Sequence, residues 1–347
     1  MSRASLTSTL KAPLHLAALA TGASSFRDNP ILGSPNLNRR GLHIRRIKLA
    51  EEMADARRSR LGNLVSKRQR EEFAEQGYVL VENALPDEVF RALSEEVEGT
   101  RFPAREMKQG DTVTRFITLS PTILARTPHL KRFINGDLFQ GLLRYIGTRN
   151  ADPYATLHTV LTDPGKGRPD PQTKFHSDTF HATAKGWMFL RDVAMADGPF
   201  SYVPGSHRLT PGRLDWEFEQ SQIAAKSDNF IHSRGSFRAS ENELKSMGYG
   251  LFVAFPVKAN SLVIADTHGF HARQPSTRPS TRLAIYGSLR VNPFSPLAGP
   301  DLFDLPGLKN RKAQLLDAQR ALISKLTGKA EGQPYVGDLY PADPAVR

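Results

Sequence analysis

From about Ala155 onward the chain breaks into short alternating or apolar runs separated by Gly, Pro, Asp and Asn. That texture restricts the fold to a β-sandwich or barrel. Thr156 to Leu161, Lys174 to Phe180, Trp187 to Val193, Leu251 to Phe255, Ser261 to Ala265 and Arg282 to Val291 are the expected strands. Pro204-Gly205 and the Pro-rich segment after Arg273 supply turns. The front third reads as largely helical. Ser66-Lys67-Arg68-Gln69 is a capping box ahead of a helix through Phe73 that Gly77 ends, followed by a short strand from Tyr78 to Val81. Pro86-Asp87 opens a helix through Val97, Asp137 to Ile146 forms another, and a last amphipathic helix is expected from Lys312 to Leu326.

The chain has 347 residues, 39% of them hydrophobic, which suffices for a packed core, and no window has the apolar length of a membrane span. Cysteine is absent, so disulfides, thiolate metal sites and a cysteine nucleophile are excluded. Any metal must be held by His, Asp or Glu. The net charge of +12 is concentrated at the front: residues 1–70 hold 14 Lys/Arg against 4 Asp/Glu, leaving 33 against 31 for the rest. The expected organisation is a basic, partly disordered N-terminal extension over 1–60, a main domain over 61–300, and a C-terminal helix with a Pro-rich tail over 301–347. Residues 1–26 lack acidic side chains and are weakly like a transit peptide, so an organellar destination stands beside the expected cytoplasmic one. Leu42, Ile44, Ile47, Leu49 and Met53, between arginine pairs, suit an amphipathic helix or an arm lying on the domain.

His176-Ser177-Asp178 carries the chemistry. Side chains at i and i+2 of a strand share one face, so the triplet presents an imidazole and a carboxylate together. With one further histidine downstream they form a two-histidine, one-carboxylate set, which holds Fe(II) and leaves positions open for a chelating co-substrate and dioxygen. His268 and His271 compete for the third ligand, and strand parity does not separate them across the turn after Asp266. H-E-x-x-H is absent, against a helix-borne zinc protease site. Arg282 opens the apolar run Leu283-Ala284-Ile285-Tyr286, and an arginine entering a core strand needs an anionic partner, such as the distal carboxylate of a co-substrate. Arg278, beside Pro279, reads as loop.

These pieces, in order, resemble the phytanoyl-CoA dioxygenase family of Fe(II)- and 2-oxoglutarate-dependent oxygenases. Phe73-Ala74-Glu75-Gln76-Gly77-Tyr78-Val79-Leu80-Val81 looks like the family's N-terminal helix-to-strand element, with Leu85-Pro86 as the next helix start. His176-x-Asp178 matches the H-x-D ligands, Pro204-Gly205-Ser206-His207 the P-G-S-H turn, and His271 with Arg282, eleven positions on, the third ligand and 2-oxoglutarate arginine. The resemblance runs from about residue 65 to 292. It implies a double-stranded β-helix, a cupin-like jelly-roll barrel with a helical N-terminal layer. It implies Fe(II) on His176, Asp178 and His271, 2-oxoglutarate held at C5 by Arg282, dioxygen as oxidant, and succinate and carbon dioxide as co-products of hydroxylation of a small or medium organic metabolite. The retained Asp178 disfavours halogenation, since related halogenases replace this carboxylate with a small residue.

The chain departs from the family in one place. Arg273 stands two places after the third ligand, where many members carry a small hydroxyl residue. It is either a second cation near the co-substrate, an outward contact to substrate, or a solvated loop arginine. Thr267 and Tyr286 are the candidates for the missing hydroxyl. His158 and Lys174 are candidates to contact 2-oxoglutarate, each against a solvent-facing or core role. Trp187 is core or substrate-lining, the His207 turn is structural, and His181 has no assigned role. Two rival readings exist: a cupin-like metalloenzyme that does not use 2-oxoglutarate, and a nucleic-acid or membrane-surface binder acting through the basic arm.

Overall fold

The alternating runs are realised as antiparallel strands in two sheets. The computed structural model describes residues 12–328 and 330–347. In chain order the strands are β1 (Tyr78–Val81), β2 (Phe102–Gln109), β3 (Thr112–Thr118), β4 (Tyr154–Thr162), β5 (Ala184–Phe189), β6 (Phe200–Tyr202), β7 (Val253–Ala254), β8 (Ser261–Asp266), β9 (His271–Arg273), β10 (Ser280–Leu289) and β11 (Tyr335–Leu339). An eight-stranded sheet runs β1-β8-β5-β10-β4-β3-β2-β11, and a three-stranded sheet runs β7-β6-β9. The expected jelly roll therefore takes the form of two sheets lining a common cavity, not of one closed barrel.

The front third is less helical than its sequence suggests, because β2 and β3 form a hairpin there. Thr112–Thr118 reads Thr-Val-Thr-Arg-Phe-Ile-Thr, β-branched and alternating; β2 is masked by Pro103, Arg105 and Lys108. Lys174 to Phe180 is not a strand. Only His176 makes ladder contacts, to Arg238 on one side and His271 on the other, while the Ser177 hydroxyl turns the chain by donating to the Thr179 carbonyl. The expected strand from Leu251 to Phe255 shrinks to β7.

Period two decides what faces the cavity. Arg282, Ala284 and Tyr286 of β10 look into it, together with His158 of β4 and Lys185 and Trp187 of β5. Leu283 and Ile285 point the other way and are fully buried in the main hydrophobic core beneath the helix Asp137–Ile146. Burial of such a side chain contributes about 1.5–3 kcal/mol.

The capping box at Ser66 is formed, and Gly77 closes the helix Lys67–Gln76 with φ of 84°. The basic segment forms the helix Leu42–Arg58, but its buried face is His43, Arg46, Ile47, Ala50, Ala54 and Arg57. Leu49, expected on that face, is exposed. Arg46 donates to the carbonyls of Leu19, Thr21 and Ala23 and stacks on Phe180. Arg57 is buried against Thr148 and the carbonyls of Pro293 and Ser295. Among the described residues, no helix is long and apolar enough to cross a membrane. Residues 1–11, part of the transit-peptide-like stretch, lie outside the described residues.

Candidate active site

His176 and His271 face each other because their backbones pair. The Nδ1 of His176 lies 2.8 Å from the Lys174 carbonyl and that of His271 3.0 Å from the Gly269 carbonyl. A carbonyl only accepts, so each Nδ1 carries the proton and each Nε2 presents its lone pair. Gly269 is required where it stands, since a Cβ there would lie 1.8 Å from the Tyr202 hydroxyl oxygen. That hydroxyl donates to the Asp266 carbonyl, and the Ser206 hydroxyl of the Pro-Gly-Ser-His turn accepts from the Phe270 amide, so the turn braces the loop before His271.

The Asp178 amide donates to the Thr267 carbonyl, placing the carboxylate against both imidazoles. Its Oδ1 lies 3.9 Å from His176 Nε2 and its Oδ2 3.7 Å from His271 Nε2. The ligand atoms of these three residues all lie within 4.8 Å of one another, the one such group of three or more potential ligands among the described residues. His268 is elsewhere. Its Nδ1 bonds to the Thr179 carbonyl, and its ring borders a second cavity of about 220 Å³ shared with His181 and His207.

Burial favours the neutral form of both His176 and His271. For Asp178 burial works against the charge, but Lys185 and the two imidazoles override it and hold the carboxyl well below the usual carboxylate range. Lys185 Nζ lies 2.5 Å from Asp178 Oδ2. Two neutral imidazoles and an ionised carboxylate are the protonation states a divalent cation needs.

A cavity of about 270 Å³ opens from the two histidines. Arg282 lies at its side, 7% exposed, with one Nη donating to the Gly198 carbonyl. Its Nε and other Nη are buried without an acceptor. Burial and then the neighbouring Arg273 push this guanidinium down. Arg273 also borders the cavity but is paired with buried Asp170 at 2.5 Å. Of the two arginines in the cavity, Arg282 is thus the one with buried bonding capacity left over. Arg278 is an exposed loop residue paired with Asp197.

Tyr286 and His158 stack on the cavity wall at 4.1 Å, and burial pushes His158 down to about 3. Trp187 packs on Phe200 and Tyr286 there. Two expectations fail. Lys174 is exposed and reaches the site only through its carbonyl. Thr267 turns its hydroxyl to the Thr183 carbonyl, away from the cavity. Sequence reasoning also missed Lys185, although a lysine on an apolar strand two places from Trp187 demands an anion nearby. Thr114 and Phe116 of the cavity wall were missed with β3.

A family model described as Phytanoyl-CoA dioxygenase (PhyH) matches residues 73–282. No curated protein matches the sequence. Similar solved structures include the non-heme alpha ketoglutarate dependent carbocyclase SnoK from nogalamycin biosynthesis, at 24% identity and TM-score 0.40, covering 65% of this chain and 83% of that one. HygX from Streptomyces hygroscopicus, with nickel and 2-oxoglutarate bound, is 15% identical with TM-score 0.41, covering 65% and 86%. EctD from S. alaskensis with bound Fe is 15% identical with TM-score 0.41, covering 68% and 81%.

Proposed function

The chain belongs to the phytanoyl-CoA dioxygenase family, and on that premise we propose that it hydroxylates a C–H bond of a small or medium organic metabolite using Fe(II), 2-oxoglutarate and dioxygen. His176, Asp178 and His271 would hold the metal, and Arg282 the C5 carboxylate of 2-oxoglutarate. The carrying observation is the pair of buried donors on Arg282 without acceptors, in the same cavity as both histidines. A carboxylate fits such a fork through two parallel hydrogen bonds. Bound Fe(II) supplies the activation of dioxygen, one oxygen atom entering the substrate as hydroxyl and the other leaving in succinate as 2-oxoglutarate loses carbon dioxide.

The protein's own part is placement. The two Nδ1–H donors fix the imidazole planes, Lys185 steadies Asp178, and Trp187, Phe200 and Tyr286 keep the cavity wall apolar. Asp178 favours hydroxylation over halogenation, because a carboxylate occupies the place a halide would need. The test is Fe(II)-dependent conversion of 2-oxoglutarate to succinate in air. Dependence on Fe(II), with loss of turnover in Asp178→Ala, supports the reading; succinate formation that ignores both would overturn it.

A further inference from the structure

We infer that the substrate carries an anionic group, carboxylate or phosphate, which Arg238 and Arg290 bind at the rim of the metal site. This rests on the function proposed above. Arg238 stands directly opposite His176 in an antiparallel bridge, and His176 stands opposite His271. Directly opposed residues project to one side, so Arg238 shares the face from which both imidazoles reach the metal position. Its Nη1 is turned back onto the Ser236 carbonyl and hydroxyl. Arg290 follows the last residue of β10; its Nη2 lies 3.2 Å from the hydroxyl of Thr179, the neighbour of Asp178, and 3.1 Å from the Gly22 carbonyl. Neither guanidinium forms an ion pair among the described residues, and Asp178 is the carboxylate whose charge each of them feels.

Fe(II), the Asp178 carboxylate, doubly charged 2-oxoglutarate and Arg282 sum to zero formal charge, and Arg273 is neutralised by Asp170. Lys185, Arg238 and Arg290 are then left without counter-charge, since the carboxylate they surround is committed to the metal. Three cations without counter-charge around the metal position, Arg290 among them exposed to solvent, repel a cationic substrate and favour an anionic one over a neutral one. An anionic group on the substrate matches the guanidinium fork of either arginine and supplies the counter-charge that Asp178, once on the metal, no longer gives them.

The test uses full-length protein loaded anaerobically with Fe(II) and 2-oxoglutarate, titrated with hexanoate, hexyl phosphate, hexan-1-ol and hexylamine. The readouts are perturbation of the visible charge-transfer band and equilibrium binding by calorimetry. Hexanoate or hexyl phosphate should bind at least about tenfold more tightly than hexan-1-ol. Whichever of the two binds better identifies the anion. Arg238→Gln and Arg290→Gln should each reduce this preference about tenfold, whereas Arg320→Gln, at the exposed helix Lys312–Thr327, should not change it. A normal band with equal affinity for alcohol and anion overturns this inference alone, as does preference unchanged in both variants. Absence of the band in wild-type protein overturns the proposed function, and this inference with it. If a variant fails to fold, the wild-type comparison still decides.

Discussion

The backbones of His176 and His271 exchange both of their hydrogen bonds, at 3.0 Å in each direction. The spacing of the two imidazoles is therefore set by the main chain and survives loss of either ring. His271→Ala should leave the circular dichroism unchanged and shift the stability of metal-free protein by no more than about 1 kcal/mol. It should at the same time abolish metal-induced thermal stabilisation. A large loss of metal-free stability would show that the rings, not the backbone, hold the loops together.

Arg282 has the strongest co-substrate signature. Replacing it with leucine removes two charge-assisted hydrogen bonds worth about 1.5–3 kcal/mol each, so the apparent requirement for 2-oxoglutarate should rise about 100-fold or more. Metal affinity, measured separately by competition with a chelator, should change little. An unaltered 2-oxoglutarate requirement would favour a cupin-like enzyme that uses no such co-substrate.

Lys185 touches Asp178 but would oppose a divalent cation beside it. Lys185→Met should lower metal-free stability by about 1 kcal/mol, since both partners keep partial solvent access. It should raise metal affinity about tenfold by removing the repulsion. Weaker metal binding in this variant would mean that positioning of the carboxylate outweighs the charge.

Burial pushes His207 down to about 3 and also lowers His181. An unfolded histidine protonates near 6.5, so below that pH the unfolded state binds protons that the folded state refuses. Stability is thus full above about pH 6.5 and falls as the pH drops, by up to about 1.4 kcal/mol per pH unit for each such imidazole. Urea unfolding of metal-free protein at pH 7 and pH 5.5 should show the decline, and His207→Gln should soften it by about 1 kcal/mol. Identical slopes in the two proteins would contradict this assignment.

The residues most legible in the sequence were those with strict local chemistry. Ser66 and Gln69 announced a capping box, Gly77 a helix stop, and Arg282 a cation entering a core strand, because each is fixed by its immediate neighbours. His176 and Asp178 were legible for a partly mistaken reason. They converge through the backbone partners of His176 and Asp178, His271 and Thr267, rather than through the alternation of a regular strand. Lys185 was missed because its partner is not a sequence neighbour, and β2 because Pro103 and its charges hide an alternation that the burial pattern shows. On the helix Leu42–Arg58 the apolar residues misled, since Arg46 and Arg57 are buried through carbonyl acceptors far away in sequence.

His176, Asp178 and His271 are proposed to hold Fe(II) beside an Arg282 that binds 2-oxoglutarate. Adding Fe(II) and then 2-oxoglutarate to the protein without air, and recording the visible spectrum, tests this most directly. A charge-transfer band should develop in the wild type, be lost in His176→Ala, and need far more 2-oxoglutarate in Arg282→Leu. Well-folded wild-type protein that shows no band, or shows the same spectrum as His176→Ala, would contradict the claim.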